Sequence, residues 1–168
     1  MADITKVLYD DHSRIRRAFD RYHVNKGNFL LAQSICTEIE VHAAIEEELV
    51  YPTIAEQLDE KVAERGETDH QVIDELVATV QELEPGDPQI DPLMQKLKKS
   101  VERHLAWEES TVFPLIKSSL RSPSPVTLGS QAFALRQQLL GQRPAPTHHR
   151  AQIVNTGWYT GSVPNAGW

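Results

Sequence analysis

The sequence predicts an all-α protein: an antiparallel up-down four-helix bundle with an additional short C-terminal helix and an extended tail. Three observations predict it. Apolar residues recur at helical spacing through the first 120 residues, no convincing two-residue alternation occurs there, and strong chain breakers separate the periodic stretches.

The first helix is expected over 3–24, with Ile4, Val7, Leu8, Ile15 and Phe19 on one face, and Lys26-Gly27-Asn28 ends it. The second is long, over 29–59, with Leu31, Ile35, Ile39, Ala43, Val50 and Ile54. The third covers about 61–83, carrying Val72, Ile73, Leu76, Val77 and Val80, and Pro85-Gly86-Asp87-Pro88 breaks it. The fourth covers about 91–119, with Leu93, Leu97, Val101, Leu105 and Val112. Ser122-Pro123-Ser124-Pro125 marks a boundary, so 1–120 is read as the bundle and 121–168 as an extension. Within the extension a short fifth helix is expected over about 130–140, with Phe133, Leu135, Leu139 and Leu140 as its apolar set and Gly141 at its end. From Pro144 onward the composition is Pro-, Gly- and small-polar-rich and reads as a tail, whose Trp158 and Trp168 suggest packing on the bundle or a partner.

Composition narrows the function classes. A net charge of −7 argues against nucleic acid as a main partner, because phosphate binding needs clustered Lys and Arg. No apolar run approaches the ~20 residues of a membrane span. The start, Met1-Ala2-Asp3, lacks a signal-peptide stretch, and the single Cys36 excludes an internal disulfide. A cytoplasmic protein, monomeric or weakly dimeric, is the expectation.

A repeat lies inside the bundle. His42-Ala-Ala-Ile-Glu46-Glu47-Glu48-Leu-Val50-Tyr51-Pro52-Thr-Ile54 overlays His104-Leu-Ala-Trp-Glu108-Glu109-Ser-Thr-Val112-Phe113-Pro114-Leu-Ile116. The first and third helices echo more weakly: Asp11-His12 with Ile15 against Asp69-His70 with Ile73. The unit is therefore a helix pair used twice, giving one histidine and then His-x-x-x-Glu, and up-down folding would bring the two sets to the bundle centre. Residues four apart share a helix face, so His42 points with Glu46 and His104 with Glu108. Imidazole and carboxylate together suit Fe, Mn or Zn. A carboxylate can bridge two metals, and a pair of dications removes the cost of burying it.

His12, His42-x-x-x-Glu46, His70 and His104-x-x-x-Glu108 together resemble the hemerythrin-type His/His-Glu cation-binding domain, over roughly residues 1–120. The resemblance implies two iron ions per chain, oxo- or hydroxo-bridged. His12 and His42 would serve one, His70 and His104 the other, with Glu46 and Glu108 bridging. Oxygen-carrying hemerythrins have one more histidine, four residues from a third-helix histidine. Here those positions are Gly66 and Asp74. Asp74 is the candidate additional ligand, or a partner orienting a histidine, with Glu67 next in line. The shortfall favours peroxide chemistry over oxygen carriage. The short C-terminal extension is similar to the mycobacterial hemerythrin-like class, which implies catalase-like breakdown of hydrogen peroxide and defence against oxidative or nitrosative stress. The alternative is a module that binds oxygen or nitric oxide, or senses iron or oxygen, without turnover.

Other residues receive local readings. Tyr51 and Phe113 are core residues before bend-inducing prolines, with Tyr51 able to donate a proton or hydrogen bond near the metals. Trp107 and Cys36 are packing residues. Glu47, Glu48 and Glu109 read as a solvated face, although a rotated helix would let Glu47 reach the metal. Tyr22 and His23 close the first helix, with His23 in solvent. His148-His149 is a tail pair able to bind metal adventitiously.

Overall fold

The computed structural model describes residues 2–141, and the expectations for the tail beyond Gly141 (His148, His149, Trp158 and Trp168) lie outside the described residues. All regular structure among the described residues is helical. α1 spans Ile4–Val24, capped by Asp3, whose side chain accepts from the Lys6 amide at 3.0 Å. α2 (Phe29–Ile45) starts at Asn28, which accepts from the Leu31 amide at 3.0 Å. α4 (Glu60–Gln81) is capped by Asp59, and α5 spans Ile90–Trp107. Gly27, at φ 74°, makes the α1–α2 turn, and its amide and the Tyr22 hydroxyl both donate to Asp91 on α5. Gly86, at φ 90°, does the same for the α4–α5 turn.

The long second and fourth rods are not plain α-helices. Each contains a five-residue π turn, Glu46–Val50 and Glu108–Val112, before continuing as α3 (Tyr51–Gln57) and α6 (Phe113–Ser119). Pro52 and Pro114 explain this. A proline ring crowds the carbonyl four residues back and supplies no N–H. The wider turn relieves both, with the Tyr51 amide bonding to the Glu46 carbonyl and the Phe113 amide to that of Glu108. The sequence predicts the two long rods; the π turns are not part of that expectation.

α7 (Pro125–Gly141) begins earlier than the expected 130. Pro125 has a φ suited to a first helical turn, and the Ser124 hydroxyl accepts from the Thr127 amide at 3.1 Å. α7 lies on α1 and α2. Gly129 permits the crossing, since a Cβ there would sit 2.3 Å from the Ala2 carbonyl. Phe133 and Leu140, expected as part of its apolar set, are instead exposed, and Leu128 and Ala132 are the buried ones.

The core falls into two apolar clusters. One gathers Ile15, Phe19, Leu31, Ile35, Ile73, Val77, Met94 and Val101, and the other Ile4, Leu8, Val41, Ile45, Ile54, Val112, Ile116 and Leu128. Along α1 the order is Leu8, His12, Ile15, so a polar layer separates the clusters. Cys36 is buried in the first cluster, and burial pushes its thiol up to about 12. Among the described residues no helix is long and apolar enough to cross a membrane.

Candidate metal centre

The polar layer consists of the six residues that the repeat singled out. His12, His42, His70 and His104 enter from α1, α2, α4 and α5, and Glu46 and Glu108 from the first position of each π turn. None is more than 3 % exposed. All four Nε2 atoms face inward: His12 lies 3.2 Å from Glu108 Oε2, His42 3.3 Å from Glu46 Oε2, His70 3.2 Å from Glu46 Oε2 and His104 3.5 Å from Glu108 Oε2. The same carboxylates reach across the layer, His104 to Glu46 at 3.9 Å and His42 to Glu108 at 4.0 Å.

All four Nδ1 atoms face outward, each toward another carboxylate. Glu109 meets His12 and Glu47 meets His70, both at 2.8 Å. Asp11 stands 3.8 Å from His42, and Asp69 3.6 Å from His104. These four acids repeat as the ligands do: Asp11 and Asp69 precede His12 and His70, while Glu47 and Glu109 follow Glu46 and Glu108. An ionised carboxylate only accepts, so at the two short contacts Nδ1 carries the proton and Nε2 is left as a donor to a metal.

Glu47 and Glu109 are therefore not merely the solvated face expected of them. Glu48 is exposed, as expected. Asp74 does not join the cluster. It lines a cavity of about 290 Å³ with Glu40, Glu47 and Val77, and burial followed by Glu47 raises its carboxyl. Glu47, not Asp74, occupies Nδ1 of His70.

Tyr51, fully buried, donates its hydroxyl to Glu108 Oε1 at 2.8 Å and lies 3.5 Å from His104 Nε2, with its ring 5.3 Å from that of His70. Gly66 makes room, since a Cβ there would meet the Tyr51 ring at 2.4 Å. Phe113, the counterpart of Tyr51, stacks on His12 at 5.3 Å and brings no polar atom. Trp107 packs 5.9 Å from His104 beneath the Arg65 guanidinium. Tyr22 is buried and His23 exposed.

The charge pattern suits cations. Buried carboxylates and imidazoles normally find hydrogen-bond partners. Here His12 Nε2, His42 Nε2, both Glu46 oxygens and Glu108 Oε2 have none. Burial disfavours charge on Glu46, but His42, His104 and His70 overcome it and hold the carboxyl well below the usual range. Burial pushes His42 down. It opposes charge on His70 too, yet Glu46 and Glu47 raise that ring to about 9. Ligand atoms within 4.8 Å of one another form two groups suited to a metal ion: His12, His42, Glu46 and Glu108, and Glu46, His70 and His104. Nitrogen–oxygen sets of this kind accept Fe, Mn or Zn.

Comparison with known proteins agrees. The hemerythrin HHE cation binding domain matches residues 3–116. A hemerythrin-like protein of Schizosaccharomyces pombe is 22 % identical over 163 residues, spanning 92 % of this chain and 76 % of that one. The crystal structure of a hemerythrin HHE cation binding domain-containing protein from Mycobacterium kansasii superposes with a TM-score of 0.73 at 19 % identity, over 84 % of this chain and 89 % of that one, and so shares its fold. The inward-facing donor set and the match over residues 3–116 agree that this chain belongs to the hemerythrin HHE cation-binding family.

Proposed function

We propose that the chain is a non-haem two-iron protein that decomposes hydrogen peroxide in the manner of a catalase, as a defence against oxidative or nitrosative stress. The observation that carries the reading is the set of unpartnered inward atoms on His12, His42, Glu46 and Glu108. His12 and His42 would hold one metal, His70 and His104 the other, with Glu46 and Glu108 shared between them. Such a pair supplies two-electron exchange, so that one peroxide is oxidised to oxygen while a second is reduced to two waters.

The chain's own residues set the conditions. Glu109 and Glu47 fix the ring tautomers of His12 and His70. The two apolar clusters flank the layer and keep its six residues from bulk water, an enclosure that suits small ligands such as peroxide, oxygen or nitric oxide. The Tyr51 hydroxyl donates to Glu108 Oε1 in this structure and would turn from that carboxylate to donate to a bound small molecule; Asp74 is not needed for this. Enclosure also suits a second reading, binding or sensing of oxygen or nitric oxide without turnover. Cys36 as a reduced core thiol suits a cytoplasmic setting.

The test is iron quantification together with oxygen evolution from added peroxide. Sustained oxygen release by the iron-loaded chain supports the enzyme. A single stable adduct without oxygen release favours the binding module.

A further inference from the structure

The two Asp residues behind the histidines are held differently. Asp69 is 19 % exposed at its side chain and faces Arg103 of α5 at 3.8 Å. Asp11 is 1 % exposed, and a carboxylate so buried needs cationic partners. It has two. Arg14, one turn along α1, pairs with Oδ1. Arg136 of α7 donates to Oδ2 at 3.3 Å. Oδ2 is the oxygen that faces His42 Nδ1 at 3.8 Å. Arg136, itself 9 % exposed, also binds Glu38 on α2, and Arg14 closes the box to Glu38 at 3.8 Å.

We propose that Arg136 is a positioning residue for the His12–His42 half of the centre: the docked α7 holds Asp11 behind His42 and so sets how firmly that half keeps its metal. Through Arg136, α7 thereby acts on that half. It packs chiefly on α1 and α2, whose histidines are His12 and His42, with a smaller contact to the Glu46–Val50 turn, while the mirror carboxylate Asp69 is served from α5. The inference rests on the two-metal reading, and its experiment separates the two.

Full-length wild-type and variant chains are loaded with ferrous iron, and release to a chromogenic chelator is followed. Outer partners of metal-bound histidines usually affect affinity ~10–100-fold. In Arg136→Ala, half of the iron should leave at least ~10-fold faster than in wild type and half at the wild-type rate. Arg136→Lys should restore most of the loss, and Arg136→Gln, which keeps the stem, should show the same split if the alanine variant does not fold. Asp11→Asn should produce the same fast half. Arg136→Ala combined with Asp11→Asn should be no faster than Asp11→Asn alone, because both act through one carboxylate. Arg103→Ala should leave that half unchanged.

A wild-type chain that holds no iron overturns both readings. A wild type with two irons and an Arg136→Ala variant with unchanged release overturns the inference alone. Equal acceleration of both halves, or additive effects of Arg136→Ala and Asp11→Asn, overturns it too, since those are the marks of general loosening.

Discussion

The His12–His42 half and the His70–His104 half use the same inward atoms and differ in what stands behind and beside them. On the first side Phe113 offers only a ring to His12, Glu109 is paired with Arg16 at 2.7 Å, and Asp11 is buried between two arginines. On the second, Tyr51 brings a hydroxyl, Glu47 is 46 % exposed beside the cavity lined by Asp74, and Asp69 is partly open. A duplicated helix pair has kept its metal-binding atoms and diverged around them. One half is braced by two arginines and faced by a phenyl ring; the other carries the Tyr51 hydroxyl and has the more exposed outer acids. On the proposed reading, the braced half anchors and the half beside Tyr51 reacts.

The largest effect should come from breaking what the halves share. Glu46 belongs to both ligand groups, so Glu46→Ala should remove most bound iron from both halves, as read by metal analysis. Chelation of the wild type should also lower its melting temperature, because buried carboxylates lose their cations; a ligand at one hundred times its dissociation constant contributes ~2.7 kcal/mol per site.

Tyr51→Phe makes the second half resemble the first. Peroxide turnover should fall ~100-fold if the hydroxyl donates a proton, while two irons remain bound. Unchanged turnover would remove Tyr51 from the mechanism. Gly66→Ala drives a methyl into the Tyr51 ring and should cost ~1–3 kcal/mol in chemical denaturation together with activity.

Outer carboxylates come next. Glu47→Ala should weaken iron binding ~10-fold in the second half, and Glu109→Ala the same in the first, each seen as a change in one of two chelator-release phases.

A pH series should show the smallest difference between the halves. Metal binding requires neutral rings. His70 is raised from 6.5 to about 9, so between these values its proton must leave before metal enters, and affinity of the second half should rise with pH across that window. The limit is about tenfold per pH unit for one proton. His42 is lowered from 6.5 and has no such proton to lose, so it adds no dependence above that pH. Competition binding from pH 6.5 to 9 reads the difference, and equal slopes in both halves would contradict it.

Much of this was legible in the sequence because duplication makes residues corroborate one another. His42 with Glu46 is an ordinary pair alone but not beside His104 with Glu108. The same repeat held the outer acids, as Asp-His twice and Glu-Glu twice. They read as surface because their partners lie on other helices, Glu109 on α5–α6 with His12 on α1, and helical periodicity speaks only for its own helix. The π turns escaped because one extra residue per turn changes an apolar pattern very little, although aromatic-Pro after each glutamate was the available signal. Arg136 was out of reach, since its meaning depends on how α7 docks. Asp74 follows from its place four residues after His70, where the resembling family has a further histidine, and the structure gives the place at Nδ1 to Glu47.

The central claim, that two pseudo-equivalent halves hold one metal each, is tested most directly by iron quantification on the full-length chain after anaerobic loading and gel filtration. The account predicts about two irons per chain, falling toward none in Glu46→Ala. A chain that retains no iron, and whose melting temperature is the same with and without chelator, would contradict it.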